Sequence, residues 1–131
     1  MKYEDITEKI ISAFYEVYNV LGYGFLEKVY ENALMIEFEK VGLKYVNQYP
    51  IKIFYKGKIV GDYVADFVVE GKVIVEVKAL WVMSFSDENQ LLNYLTSTDK
   101  EVGLVLNFGE KAEVKRKVYD NELKKYRGWE V

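Results

Sequence analysis

The chain has 131 residues, half of them hydrophobic and 16% aromatic, with a formal charge of −3 at neutral pH. That is enough apolar material for one packed core, so one domain spanning residues 1–131 is expected and a disordered chain is excluded. No His and no Cys occur, which excludes thiolate nucleophiles, imidazole bases, disulfides and the ordinary zinc site, and leaves any metal among oxygens.

The N-terminal residues MKYEDITEKI lack the apolar stretch of a secretory signal, and no run of about eighteen apolar residues follows. A cytoplasmic protein without membrane contact is therefore expected. Residues 4–21 read as an amphipathic helix, with Ile6, Ile10, Ala13, Phe14, Val17, Val20 and Leu21 at helical spacing. Gly22 and Gly24 end it. A second helix is predicted from about Phe25 to Val41, closed by Gly42.

The period then changes. Residues 50–56, 58–69 and 72–82 are rich in Val, Ile, Phe and Tyr, with hairpin turns at Lys56-Gly57 and Glu70-Gly71-Lys72. A three-stranded antiparallel meander is predicted. Ser84 and Ser86 are candidate N-caps of a third helix over 87–97. Residues 102–108, VGLVLNF, suit a buried strand, and the charged stretch 111–126 is predicted to be a final helix.

The hairpin ADFVVEGKVIVEVKA, residues 65–79, carries the chemistry. With a three-residue loop Val69 pairs with Val73, and counting outward sets Asp66 opposite Glu76. Opposed carboxylates repel unless a cation joins them, and a divalent ion would. Lys78 lies two residues past Glu76 and so on the same face. Carboxylates that fix a metal, a metal that lowers the pKa of water and a lysine that positions it are the parts of phosphodiester hydrolysis. The competing reading is an ordinary salt bridge on a half-exposed sheet.

Charge is unevenly placed. Residues 40–61 hold Lys40, Lys44, Lys52, Lys56 and Lys58 and no acid. Lys52, Lys56 and Lys58 are candidate phosphate contacts, although edge-strand lysines also serve to prevent aggregation.

Further strings accompany the hairpin: Gly24-Phe25-Leu26-Glu27-Lys28-Val29-Tyr30, which is G-x-x-E-x-x-Y, then Gln90-Leu91-Leu92-Asn93-Tyr94, then GLVLNFG at 103–109. Together they resemble the family of small "GxxExxY" proteins, placed in the PD-(D/E)xK superfamily on the side of the RecB-like and lambda-exonuclease-like nucleases. The resemblance covers roughly residues 5–110. It implies an α/β restriction-endonuclease-like core, α-β-β-β-α-β, with a mixed sheet flanked by helices. The elements read from the chain add one extra helix at each end of that core. The resemblance further implies that Asp66, Glu76 and the Val77 carbonyl ligate Mg2+ or Mn2+, that Lys78 is the catalytic lysine and that Glu27 reaches in as a further acid. Gln90 and Tyr94 would flank the site, and Tyr30, on the Glu27 helix face, is a candidate nucleic-acid contact. The family often carries a His before the glutamine and a basic residue before the hairpin Asp; here those places read SFSDENQ and YVAD.

The reading is a divalent-metal-dependent nuclease acting on nucleic acid, with DNA ahead of RNA. The alternative is a non-catalytic nucleic-acid- or protein-binding accessory module on the same fold. A chain this small supplies only part of a substrate channel, which leaves room for a homodimer or a protein partner.

Overall fold

Helix α1, Glu4–Leu21, buries Ile10, Ala13, Phe14 and Val17, a stripe at the spacing of one helical face. Gly22, at φ 68°, ends it where a residue with a Cβ would be strained. Helix α2, Glu27–Lys40, buries Tyr30, Leu34 and Phe38 on its own stripe. The computed structural model describes residues 1–130.

Five strands follow the two helices: β1 (Tyr45–Tyr55), β2 (Lys58–Val69), β3 (Val73–Lys78), then, after helix α3 (Phe85–Ser97), β4 (Val102–Phe108) and β5 (Ala112–Val118). They form one mixed sheet in the order β1-β2-β3-β4-β5. The first three make the expected antiparallel meander, and β4 joins β3 in parallel through α3. Lys56 and Gly57 both have positive φ, as a two-residue turn demands, and Tyr55 pairs with Lys58. Glu70 and Gly71 do the same at the second turn, and Val69 pairs with Val73.

The sheet has a helical layer on each face. Helices α1 and α2 cover Phe67, Val69, Val73, Val75, Val77 and Leu104. On the other face α3 packs Leu91, Tyr94 and Leu95 against Val68, Ile74 and Val105. Ser84 starts α3 with a reciprocal cap: its N–H donates to Asp87 Oδ2 at 2.9 Å, and its hydroxyl caps the helix in return. No helix among the described residues is long and apolar enough to cross a membrane.

Two expectations are corrected. Strand β1 begins at Tyr45, before Pro50; a proline fits there because β1 is an edge strand. The stretch expected to be a terminal helix contains β5, pairing antiparallel along β4 from Val102↔Val118 to Phe108↔Ala112. Its lysines and glutamate alternate with Ala112, Val114 and Arg116, a period of two that the charge density hides. β5 is the second edge of the sheet, where lysine is tolerated. After it come short 3-10 turns at Asn121–Leu123 and Gly128–Glu130. The C-terminal segment is fastened by Lys124, whose buried ammonium donates to the carbonyls of Thr98 and Lys100 at 2.9 and 2.7 Å.

One distortion matters for function. Gln48 in β1 has φ 59°, and it stands where the register would set it against Asp66. On either side of this point the faces change. Phe67 packs under α2, yet Ala65, of the same parity, packs under α3. The long β1–β2 hairpin therefore twists at Asp66, and its outer half folds over α3.

Candidate metal centre

The β2–β3 ladder ends at Phe67↔Val75, and one further step of the same register faces Asp66 with Glu76. Beyond it the two strands part, and side chains replace the ladder bonds. Asp66 N–H donates to Glu76 Oε2 at 2.7 Å, and Val77 N–H donates to Asp66 Oδ2 at 2.7 Å. Each carboxylate is thus aimed by the backbone of the opposite strand. Among the described residues nothing donates to the second oxygen of either. The N–H and C=O of one extended residue point to the same side of a strand, so the Val77 carbonyl faces the same gap as Asp66.

The pair is electrostatically unhappy on its own. Glu76 is only 4% exposed, and burial, with the Asp66 charge second, pushes its carboxyl up to about 8. Burial also raises Asp66, against the pull of the Val77 N–H, while Glu31 and Glu27 add like charge. Lys78, two residues along β3, lowers both. Its ammonium donates to Gln90 Oε1 on α3 at 2.9 Å, which fixes the long side chain at the mouth of the gap. Tyr94, one turn on from Gln90, is buried, and its phenol is pushed up to about 12 by burial and then by the Glu76 and Asp66 carboxylates. It stays a neutral hydroxyl beside the acids.

The structure therefore brings together Asp66, Glu76, Lys78, Gln90 and Tyr94. Glu27 is the exposed first residue of α2 and lies close enough for its charge to act on both acids. Tyr30 is placed otherwise than expected. It is fully buried, its ring stacked on Phe108 at 4.1 Å, so a surface-bound nucleic acid cannot touch it. Its hydroxyl donates to Gly22 O and accepts from Phe25 N–H, which pins the α1–α2 loop. Lys52, Lys56 and Lys58 are not part of the site. Lys52 pairs with Asp62 at 3.2 Å, four residues along β2 from Asp66, or about 13 Å of strand. Lys56 lies over Tyr55, and Lys58 opens β2 at the far end of the hairpin.

A polar network behind the acids is announced by no motif in the sequence. Glu31, one turn after Glu27 and 5% exposed, accepts from Asn47 Nδ2 at 2.7 Å and Gln48 Nε2 at 2.6 Å. Asn47 Nδ2 also reaches the Asp66 carbonyl at 3.0 Å. This network holds α2 to the twist point of the hairpin and so sets Asp66. The signal was the polar pair Asn47-Gln48 in a strand otherwise rich in β-formers. Asn47→Ala is expected to lower stability by about 1–3 kcal/mol in urea denaturation, because a buried carboxylate loses a donor.

A sequence profile of the PD-(D/E)XK nuclease superfamily matches residues 4–117. The chain belongs to this superfamily. Glu76-Val77-Lys78 reads as the acid-x-Lys part of the superfamily's name. The crystal structure of SSO0001 shares the fold, with a TM-score of 0.56 over 91% of this chain at 15% identity; the matched region is 60% of that protein's length. Among curated proteins, none matches.

PD-(D/E)XK nucleases act on nucleic acid and generally use divalent metals, and the donors around Asp66 and Glu76 decide whether an ion fits here. No three acids converge closely enough to hold an ion among the described residues. Two carboxylates with free oxygens and mutual repulsion do converge, and all the donors are hard oxygens. That suits Mg2+ or Mn2+, which retain several waters and are commonly held by one or two carboxylates plus a substrate phosphate.

Proposed function

We propose that the protein is a divalent-metal-dependent nuclease of the GxxExxY type, on the RecB-like side of the PD-(D/E)XK superfamily, cutting phosphodiester bonds in nucleic acid, with DNA ahead of RNA. The observation that carries this reading is the opposed pair Asp66 and Glu76. Each is aimed by a backbone N–H and has one oxygen free, with Lys78 held beside them.

Asp66, Glu76 and the Val77 carbonyl would hold Mg2+ or Mn2+, with Glu27 holding a water from the α2 side. The bound ion would supply Lewis-acid polarisation of the phosphodiester and a water of lowered pKa. The protein's own residues do the rest. Lys78, oriented by Gln90, places positive charge where the attacked phosphate gains negative charge. Tyr94 stays protonated and gives the buried carboxylates an uncharged neighbour. The sheet and α3 fix these groups on rigid elements, which is what positioning catalysis requires.

Calorimetric titration with Mn2+ tests the site without a substrate. Wild type is expected to bind one ion, and Asp66→Asn, which keeps the side chain's size, is expected to lose the heat. Equal heats from both proteins, with both folded, would contradict the assignment.

A further inference from the structure

Two loops border the proposed site. The α1–α2 loop delivers Glu27, and the loop after β3 begins immediately past Lys78. Both carry exposed aromatic rings. Tyr23 is 52% exposed and Trp81 65%, and their rings meet edge to face at 5.8 Å although they come from different loops. Phe25 flanks the pair, and Phe85 is exposed in the first turn of α3. Trp81 is three residues from Lys78, at most about 11 Å along the chain.

The loops that carry these rings are held in place by buried polar groups. Tyr30 hydroxyl fixes Gly22 and Phe25. Asn107, fully buried on β4, donates to Leu80 O and accepts from Leu80 N–H, both at 2.9 Å. Gly109 runs so close that a Cβ there would lie 2.5 Å from Leu80 O. Tyr18 hydroxyl shares its one hydrogen between the carbonyls of Gly109 and Glu110 on the same side. Two pinned loops that present rings to solvent form a preorganised platform.

We propose that this rim binds the unpaired bases of a single strand or of a frayed end. The inference rests on the nuclease reading, since it places the strand's scissile phosphate at Asp66 and Glu76. Charge argues for bases over backbone. The net charge is −3, and Lys52 of the basic hairpin is already paired with Asp62. Lys56 and Lys58 stand at the far end of that hairpin, away from the rim, so stacking supplies the grip there. Stacking needs an open base face, which an intact duplex hides. Continuity with the site selects the strand: nucleotides on either side of a phosphate held at Lys78 fall beside Trp81 and Tyr23.

The test uses the full chain in EDTA, so that nothing is cut, with labelled oligothymidine and a blunt hairpin duplex. Anisotropy gives the affinity, and the emission of Trp81 is read in a Trp129→Phe background. Oligothymidine is expected to quench Trp81 and to bind tighter than the duplex. Trp81→Ala is expected to weaken binding about tenfold, with Trp81→Phe restoring most of it. The loss should change little with salt. Unchanged affinity in Trp81→Ala, equal or tighter duplex binding, or no binding of either probe would overturn the proposal. Self-association of wild type abolished by Trp81→Ala, without oligonucleotide binding, would overturn it in favour of a second copy. Metal-dependent cutting that survives Trp81→Ala on every substrate sinks the rim and leaves the nuclease reading. Trp81-dependent binding with no cutting in any metal does the reverse.

Discussion

Glu76→Gln is expected to make the metal-free protein more stable at pH 9, by on the order of 3 kcal/mol, while removing its metal affinity. The sign follows from the direction of the shift. Burial and the facing Asp66 carboxylate raise Glu76 from its ordinary 4.5 to about 8, so the folded chain holds this proton more tightly than the unfolded chain. Its stabilising contribution is complete below about pH 4.5. It is lost as pH rises from there through about 8, and it is flat above that. Asp66 is raised too and adds to the same slope. Glutamine has no proton to lose, yet its carbonyl can still accept from Asp66 N–H. Urea denaturation in EDTA from pH 4.5 to 9 is the measurement: wild type should weaken across the window, and the variant should weaken less, keeping only the Asp66 part of the slope. Mn2+ at pH 8 should stabilise wild type and leave the variant unmoved, because only the native state of the former has a site to fill. A wild-type curve that is flat, or that rises with pH, would mean the carboxylates are not held in mutual repulsion.

Stability given up at a site where like charges face each other is a common mark of function. The sequence carried this part of the argument well. Opposition of Asp66 and Glu76 follows from a three-residue turn and a count of two per pleat, and the observed pairs Val69↔Val73 and Phe67↔Val75 have that register. Helix α1 and strand β4 were equally plain, since one has a strong period and the other an unbroken apolar run. What was hidden depends on contacts far apart in the chain. Strand β5 is dense in Lys and Glu, and only its place beside β4 makes it a strand. Tyr30 shares a helical face with Glu27 by spacing, but packing turns its ring inward onto Phe108 while Glu27, at the first turn, stays exposed. The Glu31–Asn47–Asp66 link joins α2, β1 and β2, and no local pattern announces it.

The second large effect concerns the lysine. Lys78→Met keeps the apolar stem and removes the charge, so it is expected to leave the fold intact. Cleavage should fall on the order of 10²–10³-fold, the usual loss when one group that stabilises transition-state charge is removed. Gln90→Ala, which frees Lys78 from its 2.9 Å anchor, should fall by a smaller factor of about 10–100, as for other orienting partners. The order of the two is diagnostic. If Lys78 acted only as a counter-ion to the acids, its loss would reduce metal-free stability and leave the rate at saturating metal unchanged.

The most direct test is incubation of the purified protein with end-labelled single- and double-stranded DNA and RNA, in Mn2+ and in EDTA, beside Asp66→Asn. The account predicts strand cutting that appears with Mn2+, stops with EDTA and is absent from the folded variant. Cutting that persists in EDTA or in Asp66→Asn, or no cutting of any strand by wild type in Mn2+, would contradict a metal-dependent nuclease centred on Asp66 and Glu76.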